Sequence, residues 1–381
     1  MLLTNLKIHR KSVAVAAAAG LAFFSLAAQS TASAENKDFV VRWFMQAANA
    51  YKDNSDCPNG LNPLPEEMVR RQLIALGMPD GQREELIAGI NGGSSSPEVR
   101  EALVYRGRVD GKPVHAYTYP TSVPDVPGLT PENKGPLAFG FNLDGKTKPG
   151  DFVDPDTKEG GIDSAFWLAT GCMINHRGTR TERPTHGEQH WDLQRDKQPA
   201  WVVRVTADDF TKDGPVTVFF GRAMERPWRD ANGDVRKYST FRIDPDVRWQ
   251  NTLKGTIKNG VVTVTTDQMH LLGDPYVLTD LDMSKAHFRL TIQPDGNMEG
   301  VLGGYVPWRT VFYEYGSSGY TSEFMIGVNL PAMYYALRKH ADANPDPVTK
   351  ENTHISTAYR VNGAPAFLLT KDEEMKLSSA K

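Results

Sequence analysis

The residues best suited to chemistry in this sequence stand together at His186-Gly187-Glu188-Gln189-His190-Trp191-Asp192. On a strand, His186, Glu188, His190 and Asp192 would share one face, and two imidazoles with two carboxylates make a set able to hold zinc or iron(II). On a helix, His186 and His190 would still meet one turn apart. A zinc-protease helix has glutamate directly after its first histidine; here Gly187 takes that place, and Pro184 and Gly187 both oppose a helix. The competing reading is a polar strand surface whose Trp191 packs inward.

A second, oxygen-rich group is Asn142, Asp144, Asp151, Asp154, Asp156 and Asp163. Calcium takes roughly six to eight oxygens, and an exported protein meets it at concentrations that would fill a modest site, so Asp144, Asp151, Asp154 and Asp156 are candidate calcium ligands with a structural role. Their spacing does not follow the alternate-position pattern of an EF-hand loop. The competing reading is that Asp-Gly and Asp-Pro pairs form turns whose carboxylates accept backbone hydrogens.

Three further constellations carry weaker signals. Glu299 and Glu314 flank the aromatic segment Tyr305 to Tyr315 and would serve glycoside hydrolysis only if their carboxyl groups stood at the right separation; sheet-surface positions are the plainer expectation. His176, Arg177, Arg180 and Arg183 gather positive charge that would suit an anionic ligand, although salt bridges to the acidic loop before Gly160 are expected instead. Trp167, Trp191, Trp228, Trp249 and Trp308 offer stacking faces, but tryptophans in a chain of this size mostly fill core. No nucleotide loop, haem-attachment pair, nucleophile elbow or complete zinc-protease signature occurs, so no catalytic residue is assigned.

The elements that must position these groups fall into successive regions. Residues 1–34 read as a secretory signal: Lys7, Arg10 and Lys11 are followed by an apolar run from Val13 to Leu26 and by Ala32-Ser33-Ala34, so the mature chain is expected to start at Glu35. That run is shorter than the about 20 apolar residues of a membrane span, no later stretch approaches that length, and neither a lipid-accepting cysteine nor a twin-arginine pair is present. Residues 35–105 read as a helical region. Phe39, Trp43, Phe44, Ala47 and Tyr51 share a helical face, Pro65-Glu66-Glu67 opens a helix that stops at Gly77, and further helices cover about 80–90 and 97–105.

Residues 106–160 are rich in Gly, Pro and Asp and read as irregular structure. From 161 to 370 the period becomes two. Trp201, Val203 and Val205 alternate with polar neighbours, Asn259-Gly260 marks a hairpin, and Ala286, Phe288, Leu290 and Ile292 oppose His287, Arg289, Thr291 and Gln293. The expectation is a mainly β fold, an antiparallel sandwich or curved sheet with an N-terminal helical cap, a helix near 330–343 and a disordered tail over 371–381. The stretch Gly160 to Gly178 mixes buried-type and polar residues most densely and is expected near the centre of the fold. It contains Cys172, which with Cys57 makes up the whole cysteine complement, and an oxidising compartment predicts a disulfide between them.

The fragments DCPNGLNP, FGFNLDGK, GIDSAFWLATGC and LRKHADANPDPVTKENTHIST resemble a group of uncharacterised exported bacterial proteins; the resemblance spans most of the mature chain and implies no activity. A net charge of -3 with 23% charged residues provides no basic surplus for a phosphate backbone, which argues against nucleic acid as a partner. The sequence therefore points to an exported β-rich binding or accessory protein of the periplasm or medium. Its rival is a metal-assisted or acid/base hydrolase acting on an extracellular substrate, with calcium or a transition metal as the cofactor to be tested.

Overall fold

Period-two burial marks the long strands of the computed structural model, which describes residues 34–179, 182–185, 187, 197–271 and 280–379. Strand β1 (Glu35–Gln46) is followed by helices α1 (Pro65–Ala75), α2 (Asp80–Ala88) and α3 (Pro97–Val104). Two short strand pairs follow, β2 (Gly107–Val109) with β3 (Lys112–Val114) and β4 (Phe152–Val153) with β5 (Gly160–Ile162), and then α4 (Ala165–Thr170). The long strands are β6 (Trp201–Ala207), β7 (Gly214–Arg222), β9 (Asn251–Lys258), β10 (Val261–Leu271), β11 (Leu281–Ile292) and β12 (Met298–Pro307), with the short β8 (Ser239–Arg242) before β9. Helices α5 (Trp308–Gly316), α6 (Tyr320–Phe324) and α7 (Leu330–His340) lead to β13 (Ala343–Pro345), β14 (Asn352–Leu369) and α8 (Lys371–Ser379).

The sheet order β1-β6-β7-β9-β10-β11-β12-β14 returns on itself, because β1 also pairs antiparallel with β14. The eight strands thus close an antiparallel barrel, a more specific architecture than the expected sandwich or curved sheet. Its interior is a packed core. Phe44 stacks on Tyr359 at 4.4 Å and meets Trp201 edge-on at 5.0 Å, while Phe220 and Phe288 lie 6.0 Å apart. The same apolar cluster runs into α5 and α7 through Trp308, Phe312, Met333 and Leu337. Helices α1 to α3 contribute Val69, Leu73, Ile87 and Leu103 to a smaller cluster with Phe324. The described residues from Ala34 onward cluster into one compact unit.

Two expectations are corrected. The segment expected as a helix from Glu35 is β1, paired on both edges with β6 and β14. Its register shifts between Val41 and Trp43, so the inward residues are Phe39, Val41 and Phe44; the extra residue turns a period of two into a spacing that imitates a helix. The outward Val40 is also buried, against Phe241 and Val235, which removes the polar alternation by which strands are recognised. The tail expected to be disordered is the helix α8. Thr370 accepts from the Glu373 amide at 3.2 Å while the Glu373 carboxylate accepts from the Thr370 amide at 2.7 Å, a reciprocal cap legible as Thr-x-x-Glu.

Other expectations hold. Asn259-Gly260 turns β9 into β10, the helix expected near 330–343 is α7, opened by Asn329 accepting from the Ala332 amide, and Cys57 and Cys172 are bonded with their Cα atoms 5.7 Å apart. Gly160–Gly178 is largely buried, with Phe166, Trp167, Cys172, Met173 and His176 all inside. No helix among the described residues is long and apolar enough to cross a membrane.

Candidate functional site

The residues expected to do chemistry do not meet. His186, Glu188, His190 and Asp192 lie outside the described residues, as do Arg180 and Trp191. The acidic loop spends its carboxylates on turns and ion pairs. Asp144 accepts from the Lys146 amide and from Lys148 Nζ, both at 2.8 Å, and Asp151 accepts from the Lys148 amide. Asp154 is fully buried and accepts from the amides of Asp156 and Thr157 at 2.8 and 2.9 Å and from Arg289 Nη2 at 2.7 Å. Among the described residues no group of three or more His, Cys, Asp or Glu converges on a metal-sized space. Glu299 is exposed near the start of β12, whereas Glu314 is buried in α5, past the far end of that strand. Arg177 forms a two-pronged pair, but with Asp56 beside the disulfide rather than with the acidic loop.

What the fold assembles instead lies on the outer wall of the barrel. Phe288, Leu290, Leu302, Tyr359 and Val361 point inward, so alternation turns Arg289 on β11, Val301 on β12 and Arg360 on β14 outward. The register places these three side by side, and the next outward row is Thr291, Glu299, Asn362 and Trp43. The Arg360 guanidinium lies over Trp43 at 5.5 Å and over Phe139 at 5.7 Å, while Arg289 lies over Phe141 at 5.1 Å. Each such contact stabilises by about 0.5 to 1 kcal/mol when exposed and more when dry, so the two cations are held in fixed orientations. Between them is a half-open cleft of about 320 Å³ lined by Trp43, Phe139, Arg289, Thr291, Glu299 and Arg360.

Phe141 lies next to this cleft, against the Arg289 guanidinium. It lies against Gly303 of β12, where a Cβ would come within 2.8 Å of its ring, and it faces His287 at 5.3 Å. Glycine at 303 is what lets the ring reach the sheet. Beyond Phe141 the wall changes character. Tyr305 stands two outward positions past Val301, roughly 13 Å along the strand, in line with Ser284 and Ser356. Beside it β11 carries a bulge at Lys285, whose φ of 48° is left-handed. The bulge places Lys285 Nζ over the Tyr305 ring at 5.8 Å, within 3.3 Å of the Leu143 carbonyl.

Acidic groups from separate segments surround Tyr305. Asp163 accepts from the amides of Leu143 and Asp144, and Asp342 accepts from the Ser356 amide at 2.8 Å and the Ser356 hydroxyl at 2.6 Å. Desolvation raises the Asp163 carboxyl above its usual range; desolvation first, with help from the Asp163 charge, pushes Asp342 up to about 6. Asp342 as a whole residue is exposed, just past the C-terminus of α7. Burial and the charges of Asp163, Asp342 and Asp144 raise the Tyr305 hydroxyl. Burial, with Lys285 nearby, lowers the His287 imidazole.

Sequence reasoning placed Arg289 on the polar face of its strand but did not single out Trp43, Arg360, Tyr305 or Asp342. Trp43 was hidden by the bulge in β1, and Asp342 sits in a connection that carries no periodic signal. Comparison with known proteins adds no assignment: no protein family, no curated protein and no solved structure matches the chain.

Proposed function

We propose that this chain is an exported binding protein, and that the cleft between Arg289 and Arg360 takes a small anionic molecule with a flat apolar part. The observation that carries the reading is the Arg360 guanidinium held between Trp43 and Phe139, one strand away from Arg289. Guanidinium forks recognise carboxylate and phosphate oxygens, and the neighbouring rings supply an apolar wall. Glu299 and Thr291 at the same cleft would accept hydrogen bonds from a hydroxyl or amine on the ligand. A volume of about 320 Å³ is at the small end of ligand sites and suits a single ring. Export is supported by the signal-like residues 1–34 and by the Cys57–Cys172 bond, which persists in an oxidising compartment.

Calorimetry with benzoate and 4-hydroxybenzoate, against benzamide as the neutral control, tests the site. Arg360→Gln should weaken benzoate binding about tenfold, the value of a charge-assisted hydrogen bond. Equal binding of benzamide, or none of either acid, would overturn it. The rival acid/base hydrolase draws its support from the perturbed carboxyls of Asp342 and Asp163, since such groups cluster at catalytic sites. Ester and glycoside turnover that disappears in Asp342→Asn would establish that reading instead.

A further inference from the structure

A second cavity, of about 370 Å³, opens next to the first, and Trp43 lines both. Three arginines from separate segments line it: Arg42 from the bulge in β1, Arg183 from residues 182–185, and Arg229 from the connection between β7 and β8. The bulge is what sets Arg42 and Trp43, neighbours in sequence, on the same cavity. Asp234 orients Arg42 by accepting from Nε at 3.1 Å and also from Nη2, while Asn362 accepts from Nη1 at 3.2 Å. The connection that carries Arg229 folds back on itself. Arg229 bridges to Val235, which is buried with Val40 and Phe241, and the Asp230 carboxylate accepts from the amides of Asn232 and Asp234 at 2.8 and 3.0 Å. Arg229 Nη1 donates to the Gly233 carbonyl at 2.7 Å, so these two cations are oriented before any ligand arrives.

From this placement we infer that the cavity binds the phosphoryl group of a phosphate monoester. Such a group carries a charge of about -1.5 to -2 at neutral pH and presents three strong acceptor oxygens. Among the described residues lining the cavity, three guanidinium groups stand against the single carboxylate of Asp234, an excess of two positive charges that matches the dianion. Guanidinium groups arriving from three segments can each meet a different oxygen, whereas a planar carboxylate has two oxygens and is satisfied by one fork. A guanidinium has five N–H donors, so one that protein acceptors already orient can still donate to a ligand. Arg229 and Asn232 are exposed and leave the cavity accessible; Arg42 and Arg183 are half-buried, where their charge is screened less than at the surface. The inference does not depend on the reading of the Arg289–Arg360 cleft.

The experiment is phosphorus NMR of methyl phosphate with the full mature chain at mildly alkaline pH. Its control is dimethyl phosphate, a diester that keeps the tetrahedral centre with one charge and one terminal oxygen fewer. Methyl phosphate should bind, and the diester at least about tenfold more weakly. Arg183→Gln and Arg229→Gln should each weaken methyl phosphate about tenfold, and Arg229→Lys, which keeps the charge but loses the fork, by a smaller factor. Arg229 is exposed, so its variants fold whatever the fate of the other. Saturating benzoate should not displace methyl phosphate, and if benzoate binds nowhere the cleft reading fails while the methyl phosphate result stands by itself. Equal binding of monoester and diester, displacement by benzoate, or full affinity in both glutamine variants would overturn the inference.

Discussion

Two ends of one wall, built from the same strands by the same alternation, present different side chains. At one end β11 and β14 present Arg289 and Arg360; at the other β12 presents Tyr305 among aspartates. The strands supply only outward positions, and the segment that crosses them decides the chemistry. Residues 139–163 bring Phe139 over Arg360 and Asp154 to Arg289 at one end, and Asp144 and Asp163 to Tyr305 at the other. Phe141 is the partition between the two. Specificity on this barrel therefore belongs to the irregular segment, while the barrel contributes rigidity.

The comparison breaks most severely at Asp154. Asp154→Ala would leave Arg289 and two backbone amides without their buried acceptor, at a cost of about 3 to 5 kcal/mol in urea unfolding, and would loosen the cationic end. A loss under about 1 kcal/mol would show that the pair does not anchor the segment. Next in size is the partition. Phe141→Ala should cost about 3 kcal/mol in the same measurement and should weaken benzoate binding by releasing the Arg289 guanidinium it lies under. A cost under about 1 kcal/mol would show that the ring does not hold the irregular segment to the sheet.

The acidic end should reveal itself by pH. Asp342 has a folded pKa raised to about 6 from 3.8, so the folded state binds the proton more tightly and stability falls as pH rises between those values. His287, His340 and His354, each lowered by burial, act in the opposite sense, with stability rising as pH climbs toward 6.5. Subtracting the profile of Asp342→Asn from that of the parent isolates the carboxyl; a difference that does not vary between pH 4 and 6 would remove its perturbation. The smallest effect is expected for Arg360→Lys, which keeps the charge but loses the flat stack on Trp43 and Phe139, at about 1 kcal/mol of stability and with weaker benzoate binding.

How much of this could be read in advance depends on how local the cause is. The turn at Asn259-Gly260, the alternation of β11, the helix near 330–343 and the disulfide each depend on a few residues or on cysteine count, and each is found in the structure. Barrel closure depends on β1 meeting β14 across nearly the whole chain, and β1 itself is disguised by a bulge and by burial on both faces. Both ends of the wall share this difficulty. Arg289 could be placed on an outward face, but nothing near it in sequence announces Phe139 or Arg360, and Tyr305, Asp163 and Asp342 come from three separated segments. The Thr370-to-Glu373 cap was legible and is the one local signal the expectation of a disordered tail overlooked.

The pairing of β1 also constrains the order of assembly. Its partners are Val202–Ala207 on one edge and Tyr359–Ala366 on the other, so a chain emerging from its N-terminus holds β1 open until both have arrived. During that interval an apolar strand with two unsatisfied edges is exposed to neighbouring chains. Contacts this distant in sequence close slowly, because the loop entropy is lost before the barrel's core can compensate for it. Yield in the cell should then be governed by what shelters β1 until β14 is made, and truncation inside β14 should produce aggregate rather than a smaller folded protein.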